Sequence, residues 1–195
     1  TAGEAYGRMW EERECDLTVA ETLKTGTVML FVHANTIQAP MWVVDDAALS
    51  RRMGIAVAEG QEVPWHPRLA PTQVQLVDLL QLLRSGPLDV GPRRLVILLS
   101  AWDKAAPEQL TPADFLDAKL PLFAQYLRSN SAHWTARVYG LSAQGGDYDA
   151  TEANAIVKPQ AEELRKLDQP STRIRLVGDG PETHDLTEPL AWLMG

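Results

Sequence analysis

The sequence predicts an α/β protein: a three-layer sandwich on a mainly parallel sheet. Val28-Met29-Leu30-Phe31-Val32 and Leu95-Val96-Ile97-Leu98-Leu99 are continuous apolar runs without polar alternation. Strands buried on both faces read this way, and parallel sheets produce them. Between and after these runs lie segments with helical apolar spacing. Strand–helix–strand order within one sheet implies right-handed crossovers and helices on both faces.

The elements are taken in chain order. Residues 4–24 are charged and helix-tolerant, with Met9, Cys15, Leu17, Ala20 and Leu23 as one apolar stripe. Gly26 ends that segment and the first strand runs near 27–33. Residues 35–71 are irregular and contain four prolines, Pro40, Pro64, Pro67 and Pro71, with Asp45-Asp46 placed to cap a short helix through Arg52. Thr72 to Arg84 is amphipathic, has Pro71 at its start, and ends at Gly86-Pro87. The second strand spans about 95–100. A helix comes next near 112–128, burying Phe115, Leu116, Leu120, Phe123, Tyr126 and Leu127, and Pro121 should kink or split it. The third strand spans about 136–141, and Gly145-Gly146 separates it from the next element. A polar helix over 152–167, a half-exposed edge strand over 172–177 and a closing helix over 186–194 complete the chain.

Composition narrows the function. The chain has 195 residues, 45% of them hydrophobic and 23% charged, a globular balance of one domain's size. A formal net charge of −8 disfavours a general nucleic-acid binder. No apolar run is long enough for a membrane span, and no secretory leader is visible, so a cytoplasmic protein is expected. One cysteine, Cys15, excludes an internal disulfide and a multi-cysteine zinc site. The histidines, His33, His66, His133 and His184, lack metal-ligand spacing.

Ligands of parallel sheets bind at the carboxyl ends of the strands. Those ends read His33-Ala34-Asn35, Ser100-Ala101-Trp102-Asp103 and Ser142-Ala143-Gln144-Gly145. With Thr1-Ala2-Gly3-Glu4 upstream, they resemble the second half of a Ras-like P-loop GTPase. In that family Asp-Thr-Ala-Gly is followed by Gln or Glu. The resemblance implies that Gly3 senses the γ-phosphate through its backbone N–H and that Glu4 occupies the water-orienting, catalytic position. It makes Ser100 to Asp103, with Lys104 beside it, the guanine-specificity strand end. Asp103 would accept the N1–H and N2 amine of guanine, which adenine cannot supply. Ser142 would brace the last loop, and the N–H of Ala143 would donate to guanine O6. GTP or GDP with Mg2+ is the implied ligand.

The pattern departs from the family in three ways. Ala101 stands where a lysine lays its alkyl stem along the base, and Lys104 follows the aspartate rather than preceding it. No Gly-x-x-x-x-Gly-Lys-Ser/Thr occurs in the chain. The opening Thr1 reads as a point inside a longer protein, with the phosphate-binding half and magnesium ligands expected upstream. The resemblance covers residues 1–34 and 72–146. The insertion at 35–71 and the elaboration at 147–195 look like those of divergent bacterial conflict-system GTPases of the double-GTPase type, and either segment is expected to meet a protein partner. One strand edge beside Val28–Val32 is expected to be paired by the N-terminal segment or by a partner chain. The chain thus reads as one GTPase-like domain fragment, a guanine-nucleotide switch inactive in hydrolysis by itself. The alternative is a degenerate GTPase-like interaction module that binds no nucleotide; a third is an unrelated α/β domain.

Other conspicuous residues have structural readings. The tryptophans share no spacing and read as packing anchors, Trp102 included. His33 reads as a core histidine. Arg8, Arg13, Arg51-Arg52 and Arg93-Arg94 read as surface residues, and Glu11, Glu12, Glu14 and Asp16 as a solvated acidic face.

Overall fold

The computed structural model describes residues 3–40, 54, 66–146 and 159–195, without the side chains of residues 3–6, 8, 159, 160 and 170. Its centre is a four-stranded sheet in the order β1 (Thr27–His33), β2 (Arg93–Ser100), β3 (Trp134–Ser142) and β4 (Arg175–Val177). The first three strands are parallel, as the apolar runs require, and β4 is antiparallel to β3. The edge strand is shorter than the alternation over 172–177 suggests. Pro170 sits in the first turn of a 3-10 helix, Pro170–Arg173, which takes that stretch out of the ladder.

Helices cover both faces. The amino-terminal segment forms not one helix but two, α1 (Gly3–Glu12) and α2 (Leu17–Leu23). Arg13 breaks them apart with φ +60°, and Leu17, expected in the apolar stripe, is 76% exposed. After β1 the chain reaches α3 (Thr72–Leu82), with Pro71 at its N-cap. The N–H of Gln38 donates to Thr72 Oγ1 and the N–H of Thr72 to the Gln38 carbonyl, 2.8 and 3.0 Å, fastening the β1 exit to this helix. A one-turn α4 (Trp102–Ala105) follows β2. Pro121 splits the next helix into α5 (Pro112–Lys119) and α6 (Pro121–Ser129). Leu120, the residue before proline, leaves the helical region at φ −132°, ψ 52°. The N–H of Leu122, an orphan donor at the new helix start, reaches the buried Gln73 Oε1 at 2.8 Å. The elements α7 (Pro159–Arg165) and α8 (Thr187–Met194) close the chain. No helix among the described residues is long and apolar enough to cross a membrane. The capped helix expected from Asp45-Asp46, together with Trp42, Trp65 and Arg51-Arg52, lies outside the described residues.

Because β2 is central, alternate residues feed two cores. Leu95, Ile97 and Leu99 pack under α3, α5 and α6 with Leu80, Phe115, Leu120 and Phe123. Val96 and Leu98 pack under α8 with Tyr139, Leu141, Leu176 and Leu193. Each fully buried Leu or Phe contributes about 1.5–3 kcal/mol. The same expectation for Val28–Val32 is met only in part. Val32 is buried, but Phe31 is 59% exposed. Val28 and Leu30 join the α3 side and Met29 the α8 side, so Phe31 shares the α8 face with Met29. Among the described residues β1 pairs with β2 alone.

The Arg93-Arg94 pair is not a surface pair. Arg93 is 3% exposed and donates to the carbonyls of Leu23 (2.5 Å), Leu83 (3.4 Å) and Leu88. Two of these are acceptors left over at the ends of α2 and α3. Burial lowers its pKa from the ordinary arginine value, with Asp89 opposing that shift. Arg94 donates to the Trp192 carbonyl at 2.7 Å, and Arg94 and Arg137 both stand over the Trp192 ring. His33 is exposed rather than a core histidine, because it lies at the very end of the edge strand.

Candidate functional site

The site forms where β2 and β3 end side by side. Ser100, half-buried, is the last residue of β2, paired with His33 and Leu141. Ala101 then turns the chain in the left-handed conformation, φ 54°, ψ 42°. A residue with a Cβ pays about 1–2 kcal/mol for that conformation, and such outliers gather at functional turns. The turn drives Trp102 inward and leaves Asp103 on the first turn of α4. Trp102 is buried, edge-on to Phe115 at 5.3 Å between centroids. It lies flat against β3 at Gly140, where a Cβ would stand 2.6 Å from Trp102 Cε2 and closer still to Cγ and Cδ2. The packing-anchor reading of Trp102 is therefore what the structure shows.

Asp103 meets the end of β3. Ser142, 2% exposed, donates its hydroxyl to Asp103 Oδ1 at 2.8 Å across 39 residues of sequence. The same hydroxyl accepts the N–H of Gly145 at 3.1 Å, which folds the Ser142–Gly145 loop back on itself. Gly145 has φ +77°, and a Cβ there would run into the Arg173 carbonyl oxygen and stand 3.3 Å from Leu164 Cδ2. Only glycine fits. Ala143, exposed, sits at the tip of this loop beside the pair.

The cavity at this point holds about 170 Å³ and is lined by Trp102, Asp103, Ser142, Gly145, Arg175 and Glu182, among others. It is smaller than the ~300–1,000 Å³ of a drug-sized pocket. Lys104 is exposed and does not line it. Arg175 and Glu182 escaped the sequence reading. Arg175 looks like any polar position of an alternating strand, and only its pairing with Ser142 in the β3–β4 register brings it here.

Of the residues expected to act together, Asp103 and Ser142 are hydrogen-bonded and line the cavity, while Ala143, next to Ser142 in the loop, and Ser100, at the base of the turn, do not line it. Gly3 and Glu4 open α1, and the Glu4 side chain is outside the described residues. Farther along α1, the acidic face is not wholly solvated. Glu11 accepts from Arg68 at 2.6 Å, a hydrogen bond that holds its carboxyl below the usual range, and Arg13 pairs with Asp78 at 2.7 Å. Glu11, Arg13 and Asp78 of these pairs line a larger cavity, about 590 Å³, between α1, residues 67–71 and α3, which shares no lining residue with the strand-end cavity.

Asp103 thus presents a carboxylate at a strand end, steadied through one oxygen by Ser142, with no second hydrogen bond to it among the described residues. Among the described residues, no group of three or more His, Cys, Asp or Glu converges on one point.

A mainly parallel sheet, helices on both faces and polar groups gathered at adjacent strand ends define a GTPase-like α/β sandwich. The chain belongs to the Double-GTPase 1 family, which it matches over residues 1–193. Comparison with curated proteins and with solved structures gives no match.

Proposed function

We propose that this chain carries the base-recognising half of a guanine-nucleotide switch. The observation that supports the reading is the Ser142–Asp103 hydrogen bond, 2.8 Å, joining the ends of two adjacent parallel strands. It holds one carboxylate at the strand end, next to the loop in which Ala143 follows Ser142. Asp103 selects guanine by accepting two donors from it, and the loop supplies a donor for O6. Such charge-assisted contacts are worth about 1.5–3 kcal/mol each. Gly3 and Glu4 then take the γ-phosphate and water-orienting roles. Hydrolysis needs a phosphate-binding segment with its magnesium ligands. That segment enters as a strand on the edge of β1 that no described residue pairs, from the same polypeptide or a partner chain. Phe31, exposed on that strand, supports a further layer there. Residues 35–71 and 147–195 are proposed as surfaces for a protein partner, in a cytoplasmic conflict system of double-GTPase type.

The test is calorimetric titration of the intact protein with GDP and XDP. Asp103→Asn replaces two acceptors by a donor and an acceptor, so preference should move from GDP to XDP. Equal GDP affinity in parent and variant would defeat the reading. A second reading, an interaction module without nucleotide, draws support from Ala101, which offers no alkyl stem to a base. It predicts no heat with either nucleotide.

A further inference from the structure

We propose that Arg175, from the antiparallel strand β4, supplies the cation over the base that Ala101 cannot. This rests on the guanine-site reading and adds a base-stacking residue to it.

Three observations carry the assignment. The first is placement. Arg175 pairs with Ser142 in the β3–β4 register, and both line the cavity that Asp103 enters. Any ring held by the Asp103 carboxylate in that cavity has the Arg175 side chain as a wall. Lys104, the cation nearest in sequence, is not among the residues lining it.

The second is availability. The Arg175 side chain is 55% exposed, and its Nε lies 3.6 Å from Glu182 Oε1, beyond hydrogen-bond length. An exposed pair of this kind holds its members weakly. Exchanging Glu182 for a ring face therefore costs little, and Glu182 keeps the guanidinium at the cavity mouth meanwhile.

The third is chemistry. A guanidinium is planar and weakly hydrated, so it stacks on an aromatic face more readily than an ammonium does. A purine offers such a face, and stacking is indifferent to which purine it is. Arg175 thus contributes affinity, while Asp103 contributes the choice of base. The loop beneath is rigid enough for this division. Ser142 is locked by Asp103 and by the Gly145 N–H, and Gly145 is pinned against the Arg173 carbonyl two residues before Arg175.

The experiment measures GDP, guanosine and XDP affinity of the intact protein, with Arg175→Gln, Arg175→Lys, Glu182→Gln and Asp103→Asn. Guanosine lacks phosphates and isolates the base contribution. Arg175→Gln should weaken GDP and guanosine alike by about five- to thirty-fold, the loss of one cation–ring contact. Arg175→Lys should recover less than half of that on a logarithmic scale. Glu182→Gln, which frees the guanidinium, should hold or tighten both ligands. The Asp103→Asn preference for XDP should persist with Arg175→Gln added. If Arg175→Gln leaves both affinities unchanged while Asp103→Asn still moves the preference to XDP, the Arg175 proposal is overturned and the base site stands. If Glu182→Gln costs as much as Arg175→Gln, the ion pair itself is what matters, and the proposal is again overturned. If the parent binds neither GDP nor guanosine and Asp103→Asn does not bind XDP, both readings fall together.

Discussion

Ser142→Ala tests the joint on which the site rests. The hydroxyl is buried and works twice, donating to Asp103 Oδ1 at 2.8 Å and accepting from the Gly145 N–H at 3.1 Å. The variant loses both. A hydrogen bond to a charged group contributes about 1.5–3 kcal/mol net, and an orphaned buried donor costs about 1–3 kcal/mol. Asp103 is half-buried, so water restores part of its loss. Gly145 is buried, so its N–H has no substitute. The expected destabilisation is about 2–4 kcal/mol. At roughly 2–4 °C per kcal/mol for a domain of this size, Tm falls by about 4–16 °C. Urea unfolding should show a lower midpoint with an unchanged slope, because the surface exposed on unfolding is the same. A double-mutant cycle with Asp103→Ala should give a coupling of about 1 kcal/mol or more. A loss under about 0.5 kcal/mol, or strict additivity with Asp103→Ala, refutes the reasoning, since surface substitutions alone reach that size.

Packing and charge give two further outcomes. Gly140→Ala places a methyl group inside the Trp102 ring, which is buried and edge-on to Phe115, so it should cost about 1–3 kcal/mol and alter near-ultraviolet circular dichroism; a neutral result means that Trp102 moves freely. Glu11→Gln reports the Arg68 hydrogen bond through pH. Because the folded carboxyl is held below its ordinary value, the stability it adds is complete above the ordinary glutamate range and is lost as pH falls through the lowered value. Parent and variant should therefore differ at neutral pH and converge in acid, and a gap that widens in acid contradicts the assignment.

Much of the architecture was legible in the chain. Leu95–Leu99 has no polar position, which reads as a strand buried on both faces, and it became the sheet's centre. Pro121 lacks an N–H and restricts Leu120, so a break was unavoidable there. Val28–Val32 shows the limit. Its composition matches that of β2, but strand order leaves it at the edge of the described sheet, and Phe31 stands exposed. Arg93 shows another. An arginine pair reads as surface, yet the carbonyls left over at two helix ends converge on Arg93, and no local pattern announces that convergence.

The site divides the same way. That Asp103 and Ser142-Ala143 come after apolar strands is written in the chain, and strand ends in parallel sheets put their polar residues on one edge. That the two ends are neighbours, with one hydroxyl bridging them, is a product of folding. Arg175 and Glu182 were beyond sequence reasoning altogether. Their place depends on the antiparallel register of β4 against β3, and register is set by which side chains the core accepts and by how Gly145 packs under Arg173. Local propensity states what each segment becomes, and packing between segments distant in sequence determines which side chains meet.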